Sequence, residues 1–125
     1  MSSKDLKRVF LGTWDFANGG TVAAHDLTGG EITELAGKIL ADIVVDIRTP
    51  LTSGGSATIQ LRTDADTALT AAIGIASIND KAVQAFKSLQ LSAADVASAF
   101  NVNIGTAAMT AGVLDFYGFV FDPRN

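Results

Sequence analysis

Residues 38–62 read KILADIVVDIRTPLTSGGSATIQLR, and no other stretch of the chain constrains its fold as strongly. The apolar residues Ile39, Ala41, Ile43, Val45 and Ile47 fall on alternate positions with Asp42, Asp46 and Arg48 between them, and only Leu40 and Val44 break the pattern. A period of two belongs to a strand with one face on a core and one in water. After the turn-rich PLTSGG, Ala57, Ile59 and Leu61 alternate in the same way with Thr58, Gln60 and Arg62. Two β-branched runs separated by a proline and a glycine pair predict an antiparallel hairpin whose isoleucines point inward and seed the core.

The same logic reads the rest of the chain. Residues 9–16, VFLGTWDF, alternate and stop at Asn18-Gly19-Gly20, which predicts a strand and a turn. Trp14 in that strand is expected to be a core or edge anchor whose indole N–H finds a partner. Residues 21–28 predict a short second strand, and 29–37 an irregular entry into the long one. His25 and Asp26 are neighbours on a strand and so point to opposite faces, which does not make a catalytic dyad.

Beyond Arg62 the alternation lapses. Asp64 or Asp66 is positioned to cap a short helix through Ala72. Asn79 or Asp80 would cap a second helix carrying Ala82, Val83, Ala85, Phe86 and Leu89, and Ser92 with Asp95 has capping-box spacing. Regular strands return with Phe100, Val102 and Ile104, then a turn through TAAMTAG, then residues 113–121. In that last run Leu114, Phe116, Gly118 and Val120 share one face, and Val113, Asp115, Tyr117, Phe119 and Phe121 the other. A strand apolar on both sides is central in its sheet or covered by another subunit. The expected fold is mainly all-β, a compact antiparallel β-sandwich or jelly-roll-like domain with one or two short inserted helices. Residues 1–8 are read as a flexible arm and residues 9–125 as one sandwich domain.

Composition narrows the function. The 125 residues contain no cysteine and a single histidine, so disulfides, thiolate metal sites and multi-imidazole sites within one chain are excluded. A net charge of −4 with scattered Lys and Arg argues against a nucleic-acid surface. Neither a signal peptide nor an apolar run of about eighteen residues occurs, so no membrane association is expected. Charged residues make up 18 % of the chain against about 25 % in average domains, and the difference lies in Ala, Gly and Thr, side chains suited to closely packed subunit contacts. Phosphate-binding and nucleophile-elbow motifs are missing, and the glycine pairs at 19–20, 29–30 and 54–55 stand where turns are wanted. Thr63, Asp64, Asp66 and Thr67 form an oxygen-rich cluster that lacks the glycine and closing glutamate of an EF-hand. The residues therefore point to no catalytic set, metal or cofactor.

TPLTSGGSATIQL, NIGTAAMTAGVLDFYGFV and the opening LGTWDFANGG resemble the pattern of small virion proteins of tailed bacteriophages, the head decoration, cement or head-fibre type. These segments cover about half the chain, and residues 64–99 have no counterpart in the pattern. The resemblance implies a non-enzymatic all-β subunit, a homotrimer made in the host cytoplasm and carried on the outer surface of the virion head, with the major capsid protein as partner. On that reading the basic residues Lys4, Lys7 and Arg8 of the arm are candidates for capsid binding, and Tyr117, Phe119 and Phe121 for the oligomer interface. The rival reading is a fibre base or glycan-binding module in which Trp14 and Tyr117 stack on sugar.

Overall fold

Alternating apolar residues build two antiparallel sheets, packed face to face. The computed structural model describes residues 6–80 and 89–123, with 78–80 described by their backbone alone. Its strands are β1 (Lys7–Asp15), β2 (Ala24–Asp26), β3 (Ile39–Ser53), β4 (Thr58–Arg62), β5 (Ile73–Gly74), β6 (Leu89–Gln90), β7 (Asn101–Gly105) and β8 (Met109–Phe121), with one short helix, α1 (Ile75–Asp80). A long sheet has the order β1-β8-β3-β6 and a short sheet the order β2-β7-β4-β5. The fold is an all-β sandwich.

Between the sheets lies one core. Leu11, Trp14, Leu40, Ile43, Leu114, Phe116 and Val120 from the long sheet meet Ile59, Leu61, Val102 and Ile104 from the short one, and all are buried. Each such side chain contributes about 1.5–3 kcal/mol by leaving water. Two register shifts reconcile this core with the sequence. The shift between Phe10 and Gly12 puts Leu11 and Trp14, three positions apart, on the same inner face. The shift between Leu40 and Asp42 does the same for Leu40 and Ile43. A bulge adds one residue to a strand and so reverses the facing of everything beyond it. Leu40 is thus a core residue and no exception, whereas Val44 stays on the outer face at 43 % exposure.

The predicted hairpin between residues 39–48 and 57–62 does not form. β3 pairs with β8 and β6, while β4 pairs with β7 and β5, so the two runs face one another across the core. Ser53-Gly54-Gly55 therefore turns the chain from one sheet to the other, and residues 105–109 return it between β7 and β8 in the same manner. The two corners are neighbours: Ser53 Oγ donates to Ala108 O at 2.7 Å, and the hydroxyls of Thr52 and Thr110 lie 2.7 Å apart. Beside them Gly112 has φ +139, and a Cβ there would come within 2.4 Å of Leu51 Cδ2, so glycine is required for conformation and for space.

Three further expectations change. β1 begins at Lys7, two residues before the boundary drawn for a flexible arm, because Lys7 and Arg8 pair with Val120 and Phe119. The helix expected through residues 64–72 is a turn instead: Asp66 sits at φ +64, Thr63 N–H donates to Thr67 O, and Leu69 N–H returns to Leu61 O. Asn79 and Asp80 lie within α1 and not ahead of it, Leu89 belongs to β6, and Ala82, Val83, Ala85 and Phe86 lie outside the described residues.

Candidate interaction surface

β8 runs between β1 and β3, so its outward side chains are flanked on both sides. Residues directly opposite in a ladder share a face. The register therefore lays down three outer rows: Arg8–Phe119–Asp42, Phe10–Tyr117–Val44 and Thr13–Asp115–Asp46. The Arg8 guanidinium lies 5.0 Å from the centroid of the Tyr117 ring, and the rings of Phe10 and Tyr117 are 5.4 Å apart, tilted at 47°. Both contacts are of the favourable cation–π and tilted aromatic kinds. Phe10, Tyr117, Phe119 and Phe121 are each half-buried and Val44 exposed, which leaves a continuous apolar strip on a face turned away from the core.

The next row is polar and closed. Asp115, buried on this face, accepts from Thr13 Oγ1 at 2.6 Å, and Arg48 grips it with Nε at 2.8 Å from Oδ2 and Nη2 at 3.2 Å from Oδ1. The fork geometry fixes Arg48 over a carboxylate that also faces Asp46 in the register.

One residue of the predicted basic set joins the predicted aromatic face. Tyr117 and Phe119 stand on the outer strip as expected, and Arg8, assigned to a separate arm, lies against them from β1. Phe121 sits at the far end, where it also lines a cleft of 630 Å³ together with Lys7, Lys38, Glu31, Glu34 and Leu35. Lys4 lies outside the described residues. Sequence reasoning missed Phe10 and Val44; the signal for Val44 was its break in the alternation, and for Phe10 its place beside Arg8 in a strand that pairs with β8. Trp14 is 1 % exposed, and its Nε1–H donates to Gly19 O at 3.0 Å, so it has no face to offer a sugar.

A second polar cluster lies away from this surface. Asp95 accepts from Ser92 N–H at 2.8 Å, Ser92 Oγ at 3.0 Å, Thr63 Oγ1 at 2.9 Å and Thr67 Oγ1 at 3.4 Å, while Ser92 Oγ accepts from Asp95 N–H at 3.2 Å. Burial works against ionisation of this carboxyl, but the Ser92 N–H and the hydroxyls of Thr63, Ser92 and Thr67 together outweigh it and hold the carboxyl below the usual carboxylate range. The capping box read from the sequence is thus real, and it ties a turn to the end of β4. Asp64 is occupied by Ser98 N–H at 2.9 Å and Ser98 Oγ at 3.1 Å. Among the described residues no group of three or more His, Cys, Asp or Glu converges in a way that would hold a metal ion. His25 Nε2 lies 2.8 Å from Thr21 O.

No family model, curated protein or solved structure matches the chain.

Proposed function

We propose that the chain is a non-enzymatic structural subunit of a phage particle, a decoration or cement protein that binds the outside of the head and stabilises its coat lattice. The observation that carries this reading is the outer face of the long sheet, where Phe10, Val44, Tyr117 and Phe119 form an apolar strip bordered by Arg8 and Asp42. Such a strip, rimmed by charge, is the form of a protein contact surface. The likeness of the two corner segments and the opening strand to head-decoration proteins supports the same reading.

On this proposal the subunit trimerises through Tyr117, Phe119 and Phe121, and Lys7 and Arg8 at the start of β1 meet acidic residues of the major capsid protein. Cementing then works by adding apolar contact area across the seams between coat subunits. Each contact is modest, at about 25 cal/mol per Å² before the costs of association, but repetition at every seam makes them act together. The test is cosedimentation with heads assembled from the major capsid protein of the phage to which this reading assigns the chain. Binding by the wild type and its loss in Arg8→Glu and Phe119→Glu, both folded by circular dichroism, are expected. A wild-type chain that stays in the supernatant would reject the proposal.

A further inference from the structure

We propose that Asn18 is a site of spontaneous deamidation gated by the turn that follows β1, and that its isoaspartyl product releases the indole of Trp14. The proposal concerns one end of the sandwich and does not depend on the decoration reading, which concerns the outer face of the long sheet.

β1 ends at Asp15 and runs into a single 3-10 turn, Phe16–Asn18. Asn18 is exposed, and among the described residues its side-chain amide has no hydrogen-bond partner. The next residue is one the fold cannot exchange: Gly19 has φ +143, and a Cβ there would lie 2.5 Å from Nδ1 of His25. The turn therefore carries asparagine, a thermolabile residue, directly before a residue with no side chain. In that pair the following backbone nitrogen reaches the side-chain carbonyl with the least hindrance.

The reaction is an internal displacement. Gly19 N gives up its proton and attacks Cγ of Asn18; the new N–Cγ bond closes a cyclic imide, the Cγ–Nδ2 bond breaks, and the departing nitrogen takes a proton and leaves as ammonia. Water then opens the imide at either carbonyl, which leaves an aspartyl or an isoaspartyl residue at that position. Nothing is oxidised or reduced.

The turn holds this chemistry back. Gly19 N–H donates to Phe16 O at 3.0 Å, so its proton is engaged and its nitrogen is fixed. Asp15 Oδ1 accepts from Ala17 N–H at 2.9 Å and braces the same turn, and Gly19 O accepts from Trp14 Nε1–H at 3.0 Å. Attack thus requires the turn to open, a local event with its own free energy. The two products then differ in their effect. An aspartyl residue leaves the backbone as it was, whereas an isoaspartyl residue routes the main chain through the side-chain methylene. Gly19 O is thereby carried away from an indole N–H whose ring is 1 % exposed and which has no water to turn to.

Peptide mass spectrometry after incubation at mildly alkaline pH tests the gate. In denaturing guanidinium chloride, where the turn is absent, Asn18 is expected to deamidate at least about tenfold faster than in the native protein. Equal rates would remove the gate, and an Asn18 that stays intact in denaturant would remove the site. Asp15→Ala takes away the brace at Ala17, so it is expected to speed the native reaction several-fold and to leave the denatured rate unchanged; an unchanged native rate refutes the gating. Should that variant not fold, low guanidinium on the wild type decides. Gly19 amide exchange and Asn18 deamidation should rise together, and deamidation indifferent to exchange overturns the proposal. Trp14 is the only tryptophan of the chain, so its emission reads the consequence. The isoaspartyl form, purified by chromatography, is expected to emit to the red of the wild type, and Asn18→Asp to match the wild type; a red shift in both, or in neither, refutes the release of the indole.

Discussion

The two sheets present similar faces to the core and different faces to solvent. Inside, Leu114 and Phe116 of β8 are as buried as Val102 and Ile104 of β7. Outside, the long sheet carries Phe10, Val44, Tyr117 and Phe119, whereas the short sheet carries Thr58, Gln60, Arg62 and Asn103, with Arg62 Nε donating to Gln60 Oε1 at 2.7 Å. Folding demands only that the inner faces be apolar. An outer face that satisfies its own polar groups suits water, and one that leaves aromatics half-covered is, on the proposed reading, the face that meets a neighbour.

The sharpest way to break this comparison is through the core. If the inner faces are equivalent, Trp14→Ala in the long sheet and Phe100→Ala at the entry to β7 each cost about 3–5 kcal/mol in urea unfolding; a cost under ~1 kcal/mol for either would show that one sheet contributes little. Next comes the contrast between the two buried carboxylates, Asp95 and Asp115. Asp95 is held by neutral donors alone, and Asp95→Asn is expected to lose about 1.5–3 kcal/mol at neutral pH. Its folded-state pKa is depressed, so its contribution is fully present above the ordinary aspartate range and fades as pH falls through the folded value. The gap between wild type and Asp95→Asn in thermal unfolding should therefore narrow on acidification, and a gap that widens would contradict the assignment.

Asp115 is answered by a cation, but Arg48 is 53 % exposed and screened by solvent. Arg48→Ala is expected to cost no more than about 1 kcal/mol, measured by urea unfolding at low and high salt, with the smaller effect at high salt. The smallest stability effect belongs to the outer faces themselves. Phe119→Glu on the long sheet and Gln60→Glu on the short sheet should each stay within about 0.5 kcal/mol of wild type. Only Phe119→Glu should reduce self-association in sedimentation velocity; equal behaviour of the two would remove the distinction between the faces.

Much of the surface was legible before the structure, and its assembly was not. Tyr117, Phe119 and Phe121 could be read as an apolar outer face because β8 alternates without interruption from Val113 to Phe121. Arg8 could not be joined to them, since a basic residue near a chain start reads as solvated until its strand partner is known. The same ambiguity offered Asp64 or Asp66 as a helix cap, because a short polar side chain at a turn bonds whichever backbone is near, and for Asp64 that backbone was Ser98.

By itself the sequence determined the class of fold, the inward and outward faces of β4, β7 and β8, and the places where the chain must turn, because a period of two and the glycine clusters are local properties, whereas bulges in β1 and β3 altered the facing that alternation predicts there. Only the tertiary structure decided which strands lie side by side. An amphipathic run buries its apolar face equally well beside its neighbour or across the core from it, so alternation is silent on the choice. The bulges at Leu11 and Ala41, and the corners at Gly54 and Thr106, made that choice by aiming β3 and β8 into one sheet and β4 and β7 into the other.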